Sequence, residues 1–134
     1  MQTLTVRTGT RVELIDITAQ LRTLLKQSNI KNGVCHIFIP HTTAAVTINE
    51  NADPDVARDI IVTLDRIVPL KGDYRHVEGN SAAHIKASIF GASQTIFIGD
   101  SDFILGTWQS IFFCEFDGPR TRKVFVKILG SPSN

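Results

Sequence analysis

Apolar and polar positions alternate from the start of the chain. Leu4 and Val6 stand against Thr3, Thr5 and Arg7, the period of two that marks a half-buried strand. Gly9, between two threonines, marks a turn, and residues 12–15 read as a second strand pairing back. The period then lengthens. Leu21, Leu24, Leu25 and Ser28 recur at helical spacing behind Asp16 or Thr18 as N-cap, predicting a helix over residues 17–28. Asn32-Gly33 reads as a turn, and residues 34–39 as a β-rich run that Pro40 stops.

A short strand is predicted over residues 45–49. Asp53-Pro54 then opens a helix, an N-cap followed by proline at the first helical position. Val56, Ile60, Leu64 and Ile67 form its single apolar stripe, and Pro69 closes it. Residues 72–80 read as loop. Residues 81–90 read as a short helix capped by Asn80 or Ser81 and stopped by Gly91. Strands at 95–98, 103–105, 108–116 and 123–129 fill the last third, and residues 130–134 read as a frayed tail. Helices early and strands late argue for an α+β fold, a mostly antiparallel sheet or sandwich with two to three helices. In the run 108–116, Ile111 and Phe113 share one face while Phe112, Cys114 and Phe116 share the other. That strand is therefore central and covered twice, and Gln109 and Glu115 on it need polar partners, either in a site or at a subunit interface.

At 134 residues the chain is the size of one domain, 1–134, and long enough to bury a core without disulfide or metal. Its 14 Lys and Arg against 13 Asp and Glu leave a formal charge of +1 with no basic run, which excludes a long-range field for nucleic acid or an anionic membrane. No apolar stretch approaches the ~20 residues that span a bilayer. The first residues lack the basic start and apolar block of a secretory signal, so the expected compartment is the cytoplasm. Cys35 and Cys114 sit in apolar runs and read as buried reduced thiols, with a disulfide between them left open.

Four segments carry more polar chemistry than packing requires. They are His41-Thr42-Thr43; Asn49-Glu50-Asn51 with Asp53; His76 to Lys86; and Gly106-Thr107-Trp108-Gln109 leading through Glu115 and Asp117 to Arg120 and Arg122. Neutral imidazole is the commonest metal ligand, and three imidazoles with an open position make a catalytic zinc site. His41, His76 and His84 lie at strand and helix ends, where such sites are assembled. Their spacing matches no compact zinc pattern, so three loop histidines making ordinary hydrogen bonds stay open beside the metal reading. His36 lies mid-strand and reads as ordinary. Glu50, Asp53, Glu115 and Asp117 are candidate bases or histidine orienters, with capping competing for Asp53 and an Asp-Gly turn for Asp117. Arg120, Arg122 and Lys86 can hold a phosphate, with Thr42 and Thr43 adding donors; solvated surface charge competes for Lys86 and Arg122.

These segments carry a resemblance. His41-Thr42-Thr43-Ala44-Ala45, Asn49 to Val56, His76 to Lys86 with Glu78-Gly79-Asn80-Ser81 inside, Gly106-Thr107-Trp108-Gln109 and Glu115-Phe116-Asp117-Gly118-Pro119-Arg120 occur in the order of the YjbQ family, also called the secondary thiamine-phosphate synthase family. The chain resembles that family over nearly its whole length, with no motif position departing. The resemblance implies an α+β fold with a β-sandwich-like core, a homotrimer, and a site near subunit interfaces. It implies His41, His76 and His84 as metal residues, with zinc favoured by imidazole ligation. Glu50, Asn80, Glu115 and Arg120 would carry catalysis, and Thr42, Thr43, Lys86 and Arg120 would hold the anion. The implied activity is a weak thiamine-phosphate synthase that joins an aminopyrimidine diphosphate to a thiazole phosphate. Metal, Arg120 and Lys86 would stabilise the departing diphosphate, and Glu50 and Glu115 would orient groups rather than move protons. Two rivals accompany it: a metal-dependent phosphate-ester hydrolase, and a non-catalytic binder of a small phosphorylated ligand.

Overall fold

The computed structural model describes residues 1–132. The opening alternation forms strand β1 (Gln2–Arg7), and residues 13–16 form β2 (Glu13–Asp16). They do not pair with each other as expected. β1 pairs antiparallel with the last strand, β8 (Thr121–Pro132), and β2 pairs antiparallel with β7 (Gln109–Glu115). The chain's beginning is thus shared between two sheets. Helix α1 (Thr18–Ser28) follows, with the Asp16 carboxylate accepting from the Thr18 amide at 2.9 Å. Then come β3 (Ile30–Phe38), β4 (Ala44–Glu50), α2 (Pro54–Ile67), α3 (Ser81–Phe90), β5 (Ser93–Gly99) and β6 (Asp102–Phe103). The larger sheet runs β1-β8-β3-β5-β6 and the smaller β2-β7-β4, with every pairing antiparallel. This is the α+β, sandwich-like class expected. None of the described helices is long and apolar enough to cross a membrane.

β7 is the middle strand of the smaller sheet and is covered on both faces, as its sequence requires. Ile111 and Phe113 join Val46, Ile37, Val124 and Leu21 in the core between the sheets, which α1 closes at one side. Phe112, Cys114 and Phe116 face outward under Ala83 and Ala87 of α3, with Leu64 of α2 and Phe90 packed alongside. Both cysteines are buried and free, Cys35 in the first cluster and Cys114 in the second. Burial pushes the Cys35 thiol up to about 11 and raises Cys114 as well. Asp53 caps α2 as read, accepting from the Asp55 amide at 2.9 Å with Pro54 at the helix start.

The Asn32-Gly33 turn is not one. It lies inside β3, at a register shift between Ile30 and Asn32, and Gly33 pairs directly with Gly130 of β8. The residues expected to fray, Gly130 to Pro132, extend β8 along this stretch; Ser133 and Asn134 lie outside the described residues. The two backbones approach so closely here that neither position admits a side chain. A Cβ on Gly33 would sit 1.9 Å from the Leu129 carbonyl oxygen, and one on Gly130 would sit 2.0 Å from that of Asn32. Gly33→Ala is therefore expected to force β3 and β8 apart and to cost about 3 kcal/mol or more, beyond ordinary overpacking because the obstacle is backbone. Urea unfolding at neutral pH measures this, and a loss under about 1 kcal/mol would show that the strands yield freely.

Candidate functional site

One end of the sandwich gathers residues 41–43, part of the His76 to Lys86 segment, and the Glu115 to Arg122 part of the fourth segment, whose Gly106 to Gln109 part lies at the opposite end. Antiparallel pairing sets Ala44 opposite Glu115, so the residues before β4 and after β7 leave the smaller sheet at the same end. The run Pro40 to Thr43, the loop before α3, the first turn of α3 and the β7–β8 connection enclose a cavity of about 720 Å³ there. His41, His76 and His84 all line it, with Thr42, Thr43, Asn80, Asp117, Arg120 and Arg122. Glu50 does not. It pairs with Gln109 at the other end of β4, where the Asn51 side-chain amide also donates to Asp16 at 2.7 Å. Six residue steps along a strand place Glu50 about 20 Å from Ala44. The catalytic role expected for Glu50 at the histidines is therefore corrected: within one chain it cannot reach them.

Behind the cavity lies a buried ion pair. Arg122 donates from Nε to one Glu115 carboxylate oxygen at 2.8 Å and from its terminal nitrogen to the other, a bidentate fork with both side chains 5% exposed or less. The same arginine donates to the Thr43 hydroxyl at 2.9 Å. Glu115 also accepts from the Thr8 hydroxyl at 2.8 Å and from the Asp117 amide at 3.1 Å. Burial by itself raises the Glu115 carboxyl, but the hydrogen bonds from Arg122, Asp117 and Thr8, with the Arg122 charge, prevail and hold its pKa below the ordinary value. Glu115 is thus a brace rather than a cavity-lining catalytic group, and Arg122 is buried rather than surface charge, lining the cavity with its Nε and Nη2 donors committed and its Nη1 donors not.

Lys86 is corrected in the same way. It is 1% exposed, and its ammonium pairs with Asp65 of α2 rather than lining the cavity. Its place mid-helix hid this, because a lysine on a short helix reads as solvated until its partner on another helix is known. Arg120 does face the cavity. Its Nε donates to the Asp117 carbonyl at 2.8 Å and its terminal nitrogen to the Asp117 carboxylate at 3.0 Å. Those two bonds leave three of its five N–H donors uncommitted, and its side chain is half exposed. Asp117, whose Asp-Gly pattern read as a turn, also accepts from the Asn80 amide at 3.0 Å.

The histidines share the cavity without forming a ready-made metal centre. The amide N–H of Lys123 donates to Nε2 of His41 at 2.9 Å, which takes that nitrogen's lone pair and puts the imidazole proton on Nδ1. His41 then offers the cavity a donor, not a ligand. Burial lowers its pKa, the Arg122 and Arg120 charges add to the lowering, and Glu115 opposes it, so the ring is neutral at pH 7. His76 and His84 stack edge to face with ring centroids 5.4 Å apart, and Glu78 lies 3.8 Å from His76. Among the described residues no group of three or more His, Cys, Asp or Glu side chains is placed to hold a metal ion. This arrangement does not fit the expected three-imidazole zinc site. His36, read as ordinary, bonds Thr95 at 2.9 Å on the outer face of the larger sheet.

The buried pair has a consequence in acid. Because the folded pKa of Glu115 is below its unfolded value of about 4.3, its contribution to stability is complete above that value and is lost as pH falls through the lower folded one. Glu115→Gln leaves Arg122 buried without its counter-charge and is expected to cost about 3–5 kcal/mol at neutral pH. It should also flatten the acid limb of the stability profile, measured by urea unfolding at a series of pH values. An acid limb identical to that of the unsubstituted protein would remove Glu115 as its source.

Sequence and structure comparisons agree on where this chain belongs. The family model described as "UPF0047 protein YjbQ-like" matches residues 2–131. The UPF0047 protein MJ1081 of Methanocaldococcus jannaschii is 53% identical over 93% of this chain and 91% of its own. The UPF0047 protein YugU of Bacillus subtilis is 49% identical over 97% and 99%. An uncharacterized conserved protein of the yjbq/upf0047 family from Clostridium acetobutylicum has a solved structure that superposes with a TM-score of 0.95 at 54% identity, covering 96% of this chain and 100% of that one. A YbjQ-like protein of unknown function from Sulfolobus solfataricus superposes at 0.93 with 35% identity, covering 97% and 96%. None of these relatives carries an assigned activity, and that overturns the thiamine-phosphate synthase function the resemblance implied. The structure also removes one of that reading's supports, Lys86 as a diphosphate clamp. What the match over residues 2–131 and the relatives at up to 53% identity do establish is descent: this chain belongs to the YjbQ/UPF0047 family.

Proposed function

We propose that the cavity receives the oxyanion end of a small organic molecule. The observation that carries this reading is the Arg120 guanidinium, which lines the cavity with N–H donors to spare. Arg120 keeps three N–H groups free, His41 turns Nδ1–H away from its bond to the Lys123 amide, and the Thr42 hydroxyl lines the same wall. Of the two carboxylates that line the cavity, Asp117 is already engaged by Arg120 and Asn80, and Glu78 lies beside His76. The field points the same way, since the charges of Arg122 and Arg120 depress the His41 pKa. An oxyanion placed here gains charge-assisted hydrogen bonds in a partly desolvated setting.

Methylphosphonate is a suitable probe because it offers an oxyanion and almost nothing else. Titration calorimetry is expected to show saturable binding that weakens about tenfold in Arg120→Ala. A charge-assisted hydrogen bond is worth about 1.5–3 kcal/mol, and the half-exposed guanidinium places this one at the low end. Absence of binding in the unsubstituted protein, or an Arg120→Ala affinity equal to it, overturns the reading.

The proposal extends to assembly as the homotrimer that the resemblance implies. On the outer face of the larger sheet Phe97, Val34 and Leu129 lie in register across three strands, and Phe38 lies beside Phe125 a little further along. Phe97 is 65% exposed and Phe38 51%. Adjacent apolar residues of that kind favour a covered face over open solvent. Sedimentation velocity should return the mass of three chains, and a monomer mass at micromolar concentration overturns this part.

A further inference from the structure

A second chamber adjoins the first. It is an open depression of about 410 Å³ lined by Asp73, Tyr74, Arg75, His76, Ser81, His84 and Ile85. The two imidazoles also line the larger cavity, so the pair stands as the partition between the two. The chambers differ in chemistry. The larger one holds Arg120, Asn80, Asp117 and the threonines beside Phe38 and Ile39, whereas the smaller one presents mostly apolar surface, from Tyr74 and Ile85, with Asp73, Arg75 and Ser81 also lining it.

Tyr74 is fixed as a wall. Its hydroxyl donates to the Pro69 carbonyl at 2.5 Å, which ties the polar end of the ring to the end of the α2 connection. The ring leans on Gly72, where even a Cβ would come within 3.1 Å of its carbons. With its hydroxyl spent, the ring offers the chamber only an aromatic surface. Ile85, on the face of α3 one residue beyond His84, is 39% exposed and supplies an aliphatic side to the same space. An aromatic side chain whose polar group is already bonded, paired with an open aliphatic one, is a surface that gains from being covered by an apolar group.

We infer that the ligand is bipartite: an oxyanion held in the larger chamber by Arg120, joined to an apolar or aromatic group that passes the His76–His84 pair and packs on Tyr74 and Ile85. This rests on the oxyanion reading and adds the class of molecule, an amphiphilic organic anion in place of an inorganic ion. Tyr74 and Ile85 become the residues that set specificity, and His76 and His84 lie beside the bond between head and body.

Methylphosphonate and phenylphosphonate carry the same head and differ in the body, so their affinity ratio reads the second chamber alone. In the unsubstituted protein, phenylphosphonate is expected to bind about tenfold more tightly, the return on covering a phenyl ring. Tyr74→Ala and, separately, Ile85→Ser should bring the ratio towards one, whereas Tyr74→Phe, which keeps the ring, should preserve it. Circular dichroism identifies variants that keep their fold, and only those are scored; the ratio in the unsubstituted protein needs no variant. Binding of both probes with equal affinity overturns the bipartite inference and leaves the oxyanion reading standing. A tenfold preference that survives Tyr74→Ala and Ile85→Ser also overturns it, by placing the apolar group elsewhere. Failure of methylphosphonate to bind at all overturns the oxyanion reading and this inference together, and failure of phenylphosphonate alone overturns only this inference.

Discussion

The two sheets share no strand, and at the cavity end they are held together by one ion pair, Arg122 at the start of β8 and Glu115 at the end of β7. Thr43, just before β4, and Thr8, just after β1, complete it. Three stretches that are remote in sequence, at Thr8, Thr43 and residues 115–122, therefore meet at a single carboxylate–guanidinium fork. Such a pair contributes little net stability over apolar residues of the same volume, because desolvating both charges offsets their attraction. Its effect is geometric. With every oxygen of Glu115 and the inner edge of Arg122 committed, the strands that deliver His41, Asp117 and Arg120 have one register and one direction. Gly118 shows how tight that corner is, since a Cβ there would lie 2.3 Å from the Thr10 carbonyl oxygen and 2.9 Å from the Thr8 hydroxyl.

The brace also sets the electrostatics in front of it. Arg122 is neutralised by Glu115, yet its charge acts on His41 more strongly than the carboxylate's opposing one. The imidazole stays neutral, the Lys123 amide takes its Nε2 lone pair, and the remaining N–H becomes a donor. Identical residue types arranged for metal would need the reverse, a lone pair facing the cavity and a second shell accepting from the other nitrogen. Backbone hydrogen bonding at one histidine thus distinguishes two arrangements that look the same in sequence.

Much of the fold was legible because its signals are local. The Asp53-Pro54 start, the stripe Val56, Ile60, Leu64 and Ile67, and the two apolar faces of β7 depend on neighbours within a few residues. The misreadings turn on neighbours that the local pattern does not reveal. Asn32-Gly33 has the composition of a turn, but its glycine answers to Gly130 nearly a hundred residues later. Lys86 and Arg122 look solvated until Asp65 and Glu115 are brought beside them. Glu50 belongs to a motif as polar as that of His41, but seven residues of straight strand carry it to the opposite end of the sheet. Residues 41–43, part of the His76 to Lys86 segment and the Glu115 to Arg122 part of the fourth segment do converge, while Gly106 to Gln109 stays at the far end with Glu50. Which parts meet is fixed by strand register, and register follows from the whole sheet.

Asn80 shows how the site takes precedence over local helix chemistry. It occupies the N-cap position of α3, and asparagine there ordinarily accepts from an amide of the first turn. Its side chain makes no such bond and instead donates to Asp117 at 3.0 Å. Because a carboxylate only accepts, the amide nitrogen must face Asp117, and Oδ1 is left buried without a partner. An unmet buried acceptor and a forgone cap together cost about 2–4 kcal/mol. The return is positional: the same Asp117 oxygen accepts from Arg120, so Asn80 fixes the carboxylate that aims the guanidinium. A helix whose only purpose was packing would have kept its cap. This one gives it up to hold an arginine at the mouth of a cavity, and that sacrifice is independent physical support for reading the cavity as the working part of the molecule.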